Sequence, residues 1–345
     1  MKFLKDLLET PSPSGFEEAI QKVVAEYVKP FVDEIYKDVH GNQYAVKNPK
    51  AKLRIMLAGH VDEIALMVNH IDEEGFLRFV AIGGIDPSVL DGQRVIVHGA
   101  KGPVRGVIGR KAIHLTEQED RGKPLKMHEM WIDLGAVDRK EAERLTAIGD
   151  AVTIDQPVIE LRNDRIVARA LDDRIGAFVI VEAMRLLAKR KINCAVYCVT
   201  TVQEEIGLRG ATTSAYGCNP HAGIAVDVNH ATDYPNIDAK RYGLGKLGGG
   251  PMVSRGANVN PVVYRQLMDA AKKKAIPYQV SAEPRGTGTN AMQLSRGGVA
   301  TGLIGIPNRY MHSPVEMVSL FDVEHASTLI AEWIAGLKAN TTFIP

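Results

Sequence analysis

The sequence predicts an α/β fold in which a β-rich insert interrupts a larger alternating domain. Three observations carry this. Apolar runs of strand length (Leu53 to Ala58, Ala195 to Val202, Gly223 to Val228, Gly298 to Ile304) alternate with stretches of helical periodicity, the rhythm of a largely parallel sheet. Between residues 67 and 166 that rhythm stops, and short β-like runs separated by glycine turns replace it. The length, 345 residues, is enough for one large domain or two with a sizeable core.

The elements follow in order. Met1-Lys2-Phe3-Leu4-Lys5-Asp6 enters an amphipathic helix at once. Ser14-Gly15-Phe16-Glu17 has the form of a capping box before a helix with apolar Ile20, Val23, Val24, Tyr27, Val28 and Phe31. Asp33 to Val46 reads as a hairpin with its turn at Gly41-Asn42, and Leu53 to Ala58 as a buried strand running into Gly59-His60-Val61-Asp62-Glu63. The insert has β-like runs at Phe76–Ile82, Arg94–Val97, Val104–Ile108, Trp131–Leu134 and Ala151–Ile154, with one helical stretch at Arg139–Ile148. Such spacing predicts a small barrel or sandwich, and the polar segment Leu115–His128 a long loop. The α/β rhythm then returns: helix Arg174–Arg190, strand Asn193–Val202, a short helix after Leu208, and strand Gly223–Val228. Helix Pro261–Lys274, strand Gln279–Val280, helix Asn290–Arg296, strand Gly298–Ile304 and helix Asp322–Ala339 complete it. The division is therefore a discontinuous α/β domain, residues 1–66 and 167–345, around an insert at residues 67–166.

Composition excludes several classes. Forty-two basic and 41 acidic residues leave a formal charge of +1 with no basic stripe, so nucleic acid is not an implied partner. No apolar run reaches the length of a bilayer span, and the N-terminus lacks a signal-peptide core, so no membrane is implied. Three cysteines, an odd number, argue against a disulfide framework; Cys194 and Cys198 on a strand and Cys218 in a loop read as buried thiols. The expectation is a reduced, cytoplasmic protein.

The chemistry gathers at the ends of the apolar runs. Glu204-Glu205 follow Ala195–Val202; neighbours on a strand face opposite ways, so the pair shares a pocket only where the strand breaks, and Gly207 allows a break. Two carboxylates in one pocket need a cation, or one stays protonated. His60 and Asp62, two apart, share a face, and such a pair can supply a metal ligand and the carboxylate that orients it. Asp172-Asp173 open a helix, where acids are ordinary partners of the helix dipole or, alternatively, one bridges two metal ions through its two oxygens. Asp227 ends Gly223-Ile224-Ala225-Val226, as a ligand or a turn acceptor, and His312 lies in a proline-bounded loop. Taken together, two histidines and three carboxylates suit a pair of zinc-like ions better than magnesium or calcium.

Gly243-Leu244-Gly245-Lys246-Leu247-Gly248 matches a dinucleotide fingerprint, but Gly249-Gly250-Pro251 follow and no helix starts cleanly there, so a loop beside the cleft is the reading. A glycosidase with two carboxylates across a sugar leaves His60, Asp227 and His312 without roles. A metal-stabilised scaffold leaves Glu204 without one.

The segments His60-Val61-Asp62-Glu63, Ala170-Leu171-Asp172-Asp173-Arg174, Gln203 to Ala211, Asp227 and Arg309-Tyr310-Met311-His312-Ser313 resemble the M42 metallo-aminopeptidases, which include the tetrahedral TET peptidases. The resemblance covers essentially the whole chain in order. It implies a three-layer metallopeptidase domain with an inserted small β-barrel or sandwich that serves assembly into dodecamers. It implies two divalent ions, zinc or cobalt, with His60 and Asp227 on one, Glu205 and His312 on the other, and Asp172 between them. Glu204 would be the general base, Asp62 would orient His60, and a cis peptide would join Asp172 to Asp173. The substrates would be short peptides with free N-termini, the nearer rivals being a dinuclear carboxypeptidase or N-acyl deacylase. Glu117, Gln118 and Glu119 in the long loop are candidates for reaching a neighbouring subunit. Asn290, where relatives are expected to carry Asp, bears on substrate preference rather than catalysis.

Overall fold

The computed structural model describes residues 1–282 and 287–345. Helix α1 (Lys2–Glu9) buries Phe3, Leu4, Leu7 and Leu8, the stripe its spacing predicts. Before α2 (Glu18–Val28) the capping box is not made: Glu17 is the N-cap and makes no side-chain cap bond. Ser14 donates its hydroxyl to Asp62 instead, at 2.6 Å, and Glu17 accepts from the N–H groups of Gly15 and Gln203. Strands β1 (Glu34–Lys37) and β2 (Gln43–Lys47) form the expected hairpin, and β3 (Arg54–His60) carries the chain to His60.

Six strands then close into a barrel: β4 (Ala65–Ile71), β5 (Leu77–Ile82), β6 (Arg94–Gly99), β7 (Gly102–Arg110), β8 (Met130–Asp133) and β9 (Ala151–Ile154), in the order β4-β5-β8-β7-β6-β9. Their inward residues, among them Leu66, Val68, Leu77, Val95, Val97, Ile108, Ile132 and Val152, make a core separate from that of the large sheet. Helix α3 (Arg139–Leu145) adds Ala142 to it and is capped by Asp138, which accepts from the Glu141 N–H. Strand β4 was not legible because its pairing with β5 shifts between Val68 and His70, which breaks the alternation.

After β10 (Ile159–Leu161) and β11 (Arg165–Ala168) comes α4 (Leu171–Leu187), whose first residues are not helical. Ala170 is left-handed, Asp172 and Asp173 leave the helical region, and the bond between them is cis. Regular helix starts at Arg174, as the sequence predicts. Strand β12 (Ala195–Thr201), helix α5 (Arg209–Cys218), strand β13 (Ala222–His230), helix α6 (Ala239–Tyr242) and strand β14 (Met252–Ser254) follow. Cys218 is thus the last residue of a helix rather than a loop residue, and all three cysteines are free and buried. Helix α7 (Pro261–Lys274), strand β15 (Gln279–Ser281), helix α8 (Gly288–Gln293), strands β16 (Ala300–Asn308) and β17 (Glu316–Ser319) and helix α9 (Leu320–Gly336) end the chain.

The large sheet has the order β1-β2-β12-β3-β13-β16-β14-β15, with β12, β3, β13 and β16 mutually parallel. Side chains alternate between two helical layers. On β3, Ile55 and Leu57 join the core beneath α1, α2, α4, α7 and α9, while Met56 and Ala58 face α5 and α8. Each fully buried aliphatic side chain contributes about 1.5–3 kcal/mol. Gly59 lets α4 close on β3, since a Cβ there would stand 2.7 Å from the Ala177 nitrogen. The close approach sets the start of α4 against the end of β3. The glycine-rich segment opens no nucleotide-binding helix; the N–H groups of Gly248 and Gly250 both donate to Asp322 at the start of α9. Among the described residues no helix is long and apolar enough to cross a membrane.

Candidate metal centre

The four parallel strands end on one side of the sheet, the edge where open α/β folds bind ligands. Register places the first residues. Ala225 pairs with Ala58, so two residues further on Asp227 comes level with His60. Thr201 pairs with His60 on the other flank. Asp227 lies inside β13 rather than at its end, because pairing with β16 continues to His230. Beyond β12 the chain breaks at Gln203, a non-glycine residue at φ 55°, earlier than Gly207. The Asp62 carboxylate holds that break by accepting the N–H of Glu204 at 3.0 Å and of Glu205 at 3.1 Å.

The side chains converge on Asp172. One of its oxygens lies 3.4 Å from His60 Nε2 and the other 3.3 Å from His312 Nε2. Glu204 Oε2 is 3.7 Å from His60 Nε2, and Glu205 Oε2 is 3.6 Å from His312 Nε2. Ligand-type atoms of His60, Asp172 and Glu205 lie within 4.8 Å of one another, as do those of His60, Asp173 and Asp227. Asp172, Glu204, Glu205, Asp227 and His312 line a cleft of about 290 Å³ that includes Thr287, Leu303 and Met311. A larger cavity, about 700 Å³, lies beyond Gln203 and is lined by Glu17, His40 and His98 among others; among the described residues no such cluster lines it.

The other ring nitrogens are engaged. His60 Nδ1 is 3.1 Å from the Asp62 carbonyl and 3.3 Å from Asp62 Oδ1. His312 Nδ1 is 2.6 Å from the carbonyl of Gly84, which belongs to the barrel segment after β5. Each contact favours a proton on Nδ1 and leaves Nε2 free to bind a cation. Asp173 was not assigned a role from the sequence. Its two oxygens accept the N–H of His60 and of Gly176, so it anchors β3 to α4 and has less to offer an ion. Glu316 was not singled out either. It is buried and accepts the N–H of Asp172 at 2.9 Å and of His312 at 2.8 Å. Its signal was a lone carboxylate in the strand-like run Val315 to Val318. Glu63 joins Arg169 and Arg174 in a buried ionic cluster beside the cleft.

The electrostatics match a site made for positive charge. Burial, together with Asp172, pushes Glu205 and Asp227 well above the usual carboxylate range. Burial also raises Glu204, partly offset by His60. Asp172 goes the other way: burial opposes it, but the hydrogen bonds of His312 and His60 pull it below that range. Burial would lower His60, yet Glu204, Asp172 and Asp62 hold it well above an ordinary imidazole, and His312 is pushed up to about 9 chiefly by its hydrogen bond to Asp172. Glu205 Oε1 is buried with no hydrogen-bond partner. A buried carboxylate oxygen left bare is costly unless something cationic meets it, so the residues fit a divalent ion.

A family model described as M42 glutamyl aminopeptidase matches residues 41–329. The chain belongs to the M42 peptidase family. It is 39% identical over 342 residues to a lysyl aminopeptidase of Pyrococcus furiosus, spanning 98% of this chain and 97% of that one. A TET aminopeptidase from a marine-sediment Thaumarchaeota archaeon superposes with a TM-score of 0.94 at 36% identity, over 98% of this chain and 96% of that one. The TET1 peptidase of Pyrococcus horikoshii, described as able to assemble into a tetrahedron or a large octahedral shell, gives 0.88 at 31% identity, over 97% and 99%. This M42 peptidase is accordingly a hydrolase of peptide bonds with an α/β domain and an inserted barrel, as the sequence led one to expect. M42 peptidases are metal-dependent, and the cleft described above holds the donor set for it.

Proposed function

We propose that the protein is a dinuclear aminopeptidase that removes N-terminal residues from short peptides. The observation that carries this reading is Asp172, whose two oxygens each face a different histidine while Glu204 and Glu205 stand on either side. His60 and Asp227 would hold one divalent ion, Glu205 and His312 the other, with Asp172 shared. When bound, such a pair, zinc or cobalt, supplies a Lewis acid for the scissile carbonyl and brings the pKa of water toward neutrality. Glu204 takes the proton of the attacking water at Oε2 and passes it to the leaving amine. Burial raises its pKa above the usual carboxylate range, the direction expected of a carboxylate that must accept a proton. Asp62 holds the backbone of Glu204 and Glu205 and orients His60, so the base and one ligand of each ion depend on it.

The test is Glu204→Gln. The amide keeps the shape but accepts no proton, so metal content by elemental analysis should match the parent while turnover falls by roughly 10²–10⁴. Near-normal activity would overturn the assignment. Paired aminoacyl-chromogenic substrates with free and acetylated N-termini, with and without added zinc or cobalt, separate this reading from an N-acyl deacylase; free and amidated C-termini separate a carboxypeptidase.

In the same reading the insert, residues 67–166, serves assembly into a dodecamer in a cytoplasmic setting. Glu117, Gln118 and Glu119, exposed on the segment Leu115–His128, would reach toward a neighbour. Light scattering that gave a monomer under native conditions would remove the assembly part and leave the chemistry standing.

A further inference from the structure

Glu316 is the first residue of β17, where it pairs with Ala168 at the end of β11. From Ala168 the chain runs through left-handed Ala170 to Asp172; from the other side it returns through the loop that carries His312. Neither residue sits in a regular ladder. Asp172 has left helical geometry and His312 has φ 60°, so their N–H groups need an acceptor from elsewhere. The Glu316 carboxylate is that acceptor for both, one oxygen to each. The side chains of the same two residues meet at 3.3 Å. The adjoining space, about 30 Å³, is lined by Glu63, Arg169, Asp172, Glu205, His312 and Glu316 and has room for about one water, not for a substitute side chain.

We infer that Glu316 is a positioning residue that sets the distance between Asp172 and His312, and through it the affinity of the site for its ions. The inference rests on the metal reading above and adds a residue to it. The chemistry is specific. The two N–H donors meet different oxygens, Oε2 for Asp172 and Oε1 for His312, and a carboxylate of this reach offers both. Glutamine has the same size but turns an NH₂ donor toward one of the two amides.

The experiment compares the full-length parent with Glu316→Gln. Zinc affinity is read by competition with a chromophoric chelator, and folding by the melting temperature of the chelated proteins. Losing a group that orients a metal ligand typically costs 10–100-fold in affinity, so a drop of about that size is expected, with chelated melting temperatures close together. Excess zinc should then restore kcat by restoring occupancy, while the measured affinity stays low. Affinity within about twofold of the parent would overturn the inference, as would a loss of affinity no larger than that of a control substitution remote from the cleft. Should Glu316→Gln fail to fold, Glu316→Asp keeps the charge but is too short to serve both amides, and the same drop is expected. Failure of both to fold would make the residue structural and overturn it too. A parent chain that takes up no zinc would sink the metal reading instead, a different and separable result.

Discussion

The two ends of the acidic cleft are built by different means. His60 and Asp227 stand on neighbouring parallel strands, brought level by sheet register, and both are buried. Glu205 and His312 stand on loops. The first hangs from Asp62 through its N–H, and the second from Glu316 through its N–H and from Gly84 through its ring. The His312 side chain is 37% exposed against 3% for His60. A strand-built end inherits its geometry from a sheet whose stability is that of the whole domain. A loop-built end has only the hydrogen bonds it is given, one of them from the inserted barrel. Among the described hydrogen bonds the barrel segment therefore touches one end of the site, at His312, and not the other.

The sharpest way to break this contrast is to remove one ligand from each end. Asp227→Asn and His312→Ala should both lower metal content and activity, by more than the roughly 10–100-fold seen when only an orienting group is lost. The two should differ in recovery. Excess zinc is expected to restore the His312 variant in part, because an exposed loop position can admit water as a replacement ligand. The buried strand position cannot. Equal recovery in titrations of activity against zinc would show that the ends are equivalent after all.

The protonation of the site offers a second handle. Glu205 and Asp227 are held well above the carboxylate range and Glu316 is raised to about 8, mainly by burial; His60 and His312 are raised as well. The chelated folded chain thus keeps protons that the unfolded chain has released. Stability then falls as pH rises, from the unfolded carboxylate range near 4.5 and the unfolded imidazole value near 6.5 up through the folded values near 8 and 9. The lowered groups, Asp172, Asp62 and Glu63, have the opposite sign but titrate only in acid. The melting temperature of chelated protein should therefore drop between pH 6 and pH 9, and added zinc should remove most of the slope. A flat or rising profile in scanning fluorimetry would contradict this.

A smaller effect isolates the barrel. Gly83 has φ 78°, and a Cβ there would lie 2.8 Å from Ile64 Cγ2 and 3.3 Å from Glu205 Cβ. Gly83→Ala should cost about 1–2 kcal/mol of stability from the left-handed backbone. It should also weaken zinc binding at the loop-built end while leaving the first, strand-held ion in place. Two-step zinc titration of the variant checks this; loss of both steps together would mean the ends are coupled more tightly than their construction implies.

How much of this was legible follows the same divide. The site strands were readable because an apolar run that stops at a charge is visible in one dimension; His60, the Glu204–Glu205 pair and Asp227 all close such runs, although β13 itself continues past Asp227 to His230. The closed barrel was readable as short runs, but not β4, whose bulge breaks the alternation at His70. What escaped were contacts between distant segments that leave little local mark: Ser14 to Asp62, Gly84 to His312, and Glu316 to both Asp172 and His312. Ser14 was misread for the opposite reason. Its local pattern was a good capping box, and a buried carboxylate 48 residues away won the hydroxyl.

The least effect is expected at Asn290, the one position where the family resemblance led to an expected difference in the chain. It occupies the third position of α8, where its Oδ1 accepts the Thr287 N–H at 3.0 Å and completes a capping box with the Thr287 side chain. Aspartate offers the same oxygen, so Asn290→Asp should change stability by no more than about 0.5 kcal/mol. It would add a negative charge to the helix whose cap, Thr287, lines the cleft beside the strand-built end. If the residue is only a cap, the ranking of a panel of aminoacyl substrates stays as in the parent. If it reads the substrate, the added charge favours basic N-terminal residues, and the gain should shrink with salt because Asn290 is only half-buried and a charge there is still partly screened. A salt-sensitive shift toward lysyl and arginyl substrates would therefore return Asn290 to the specificity role first read from the sequence and extend the strand-built end of the cleft to α8.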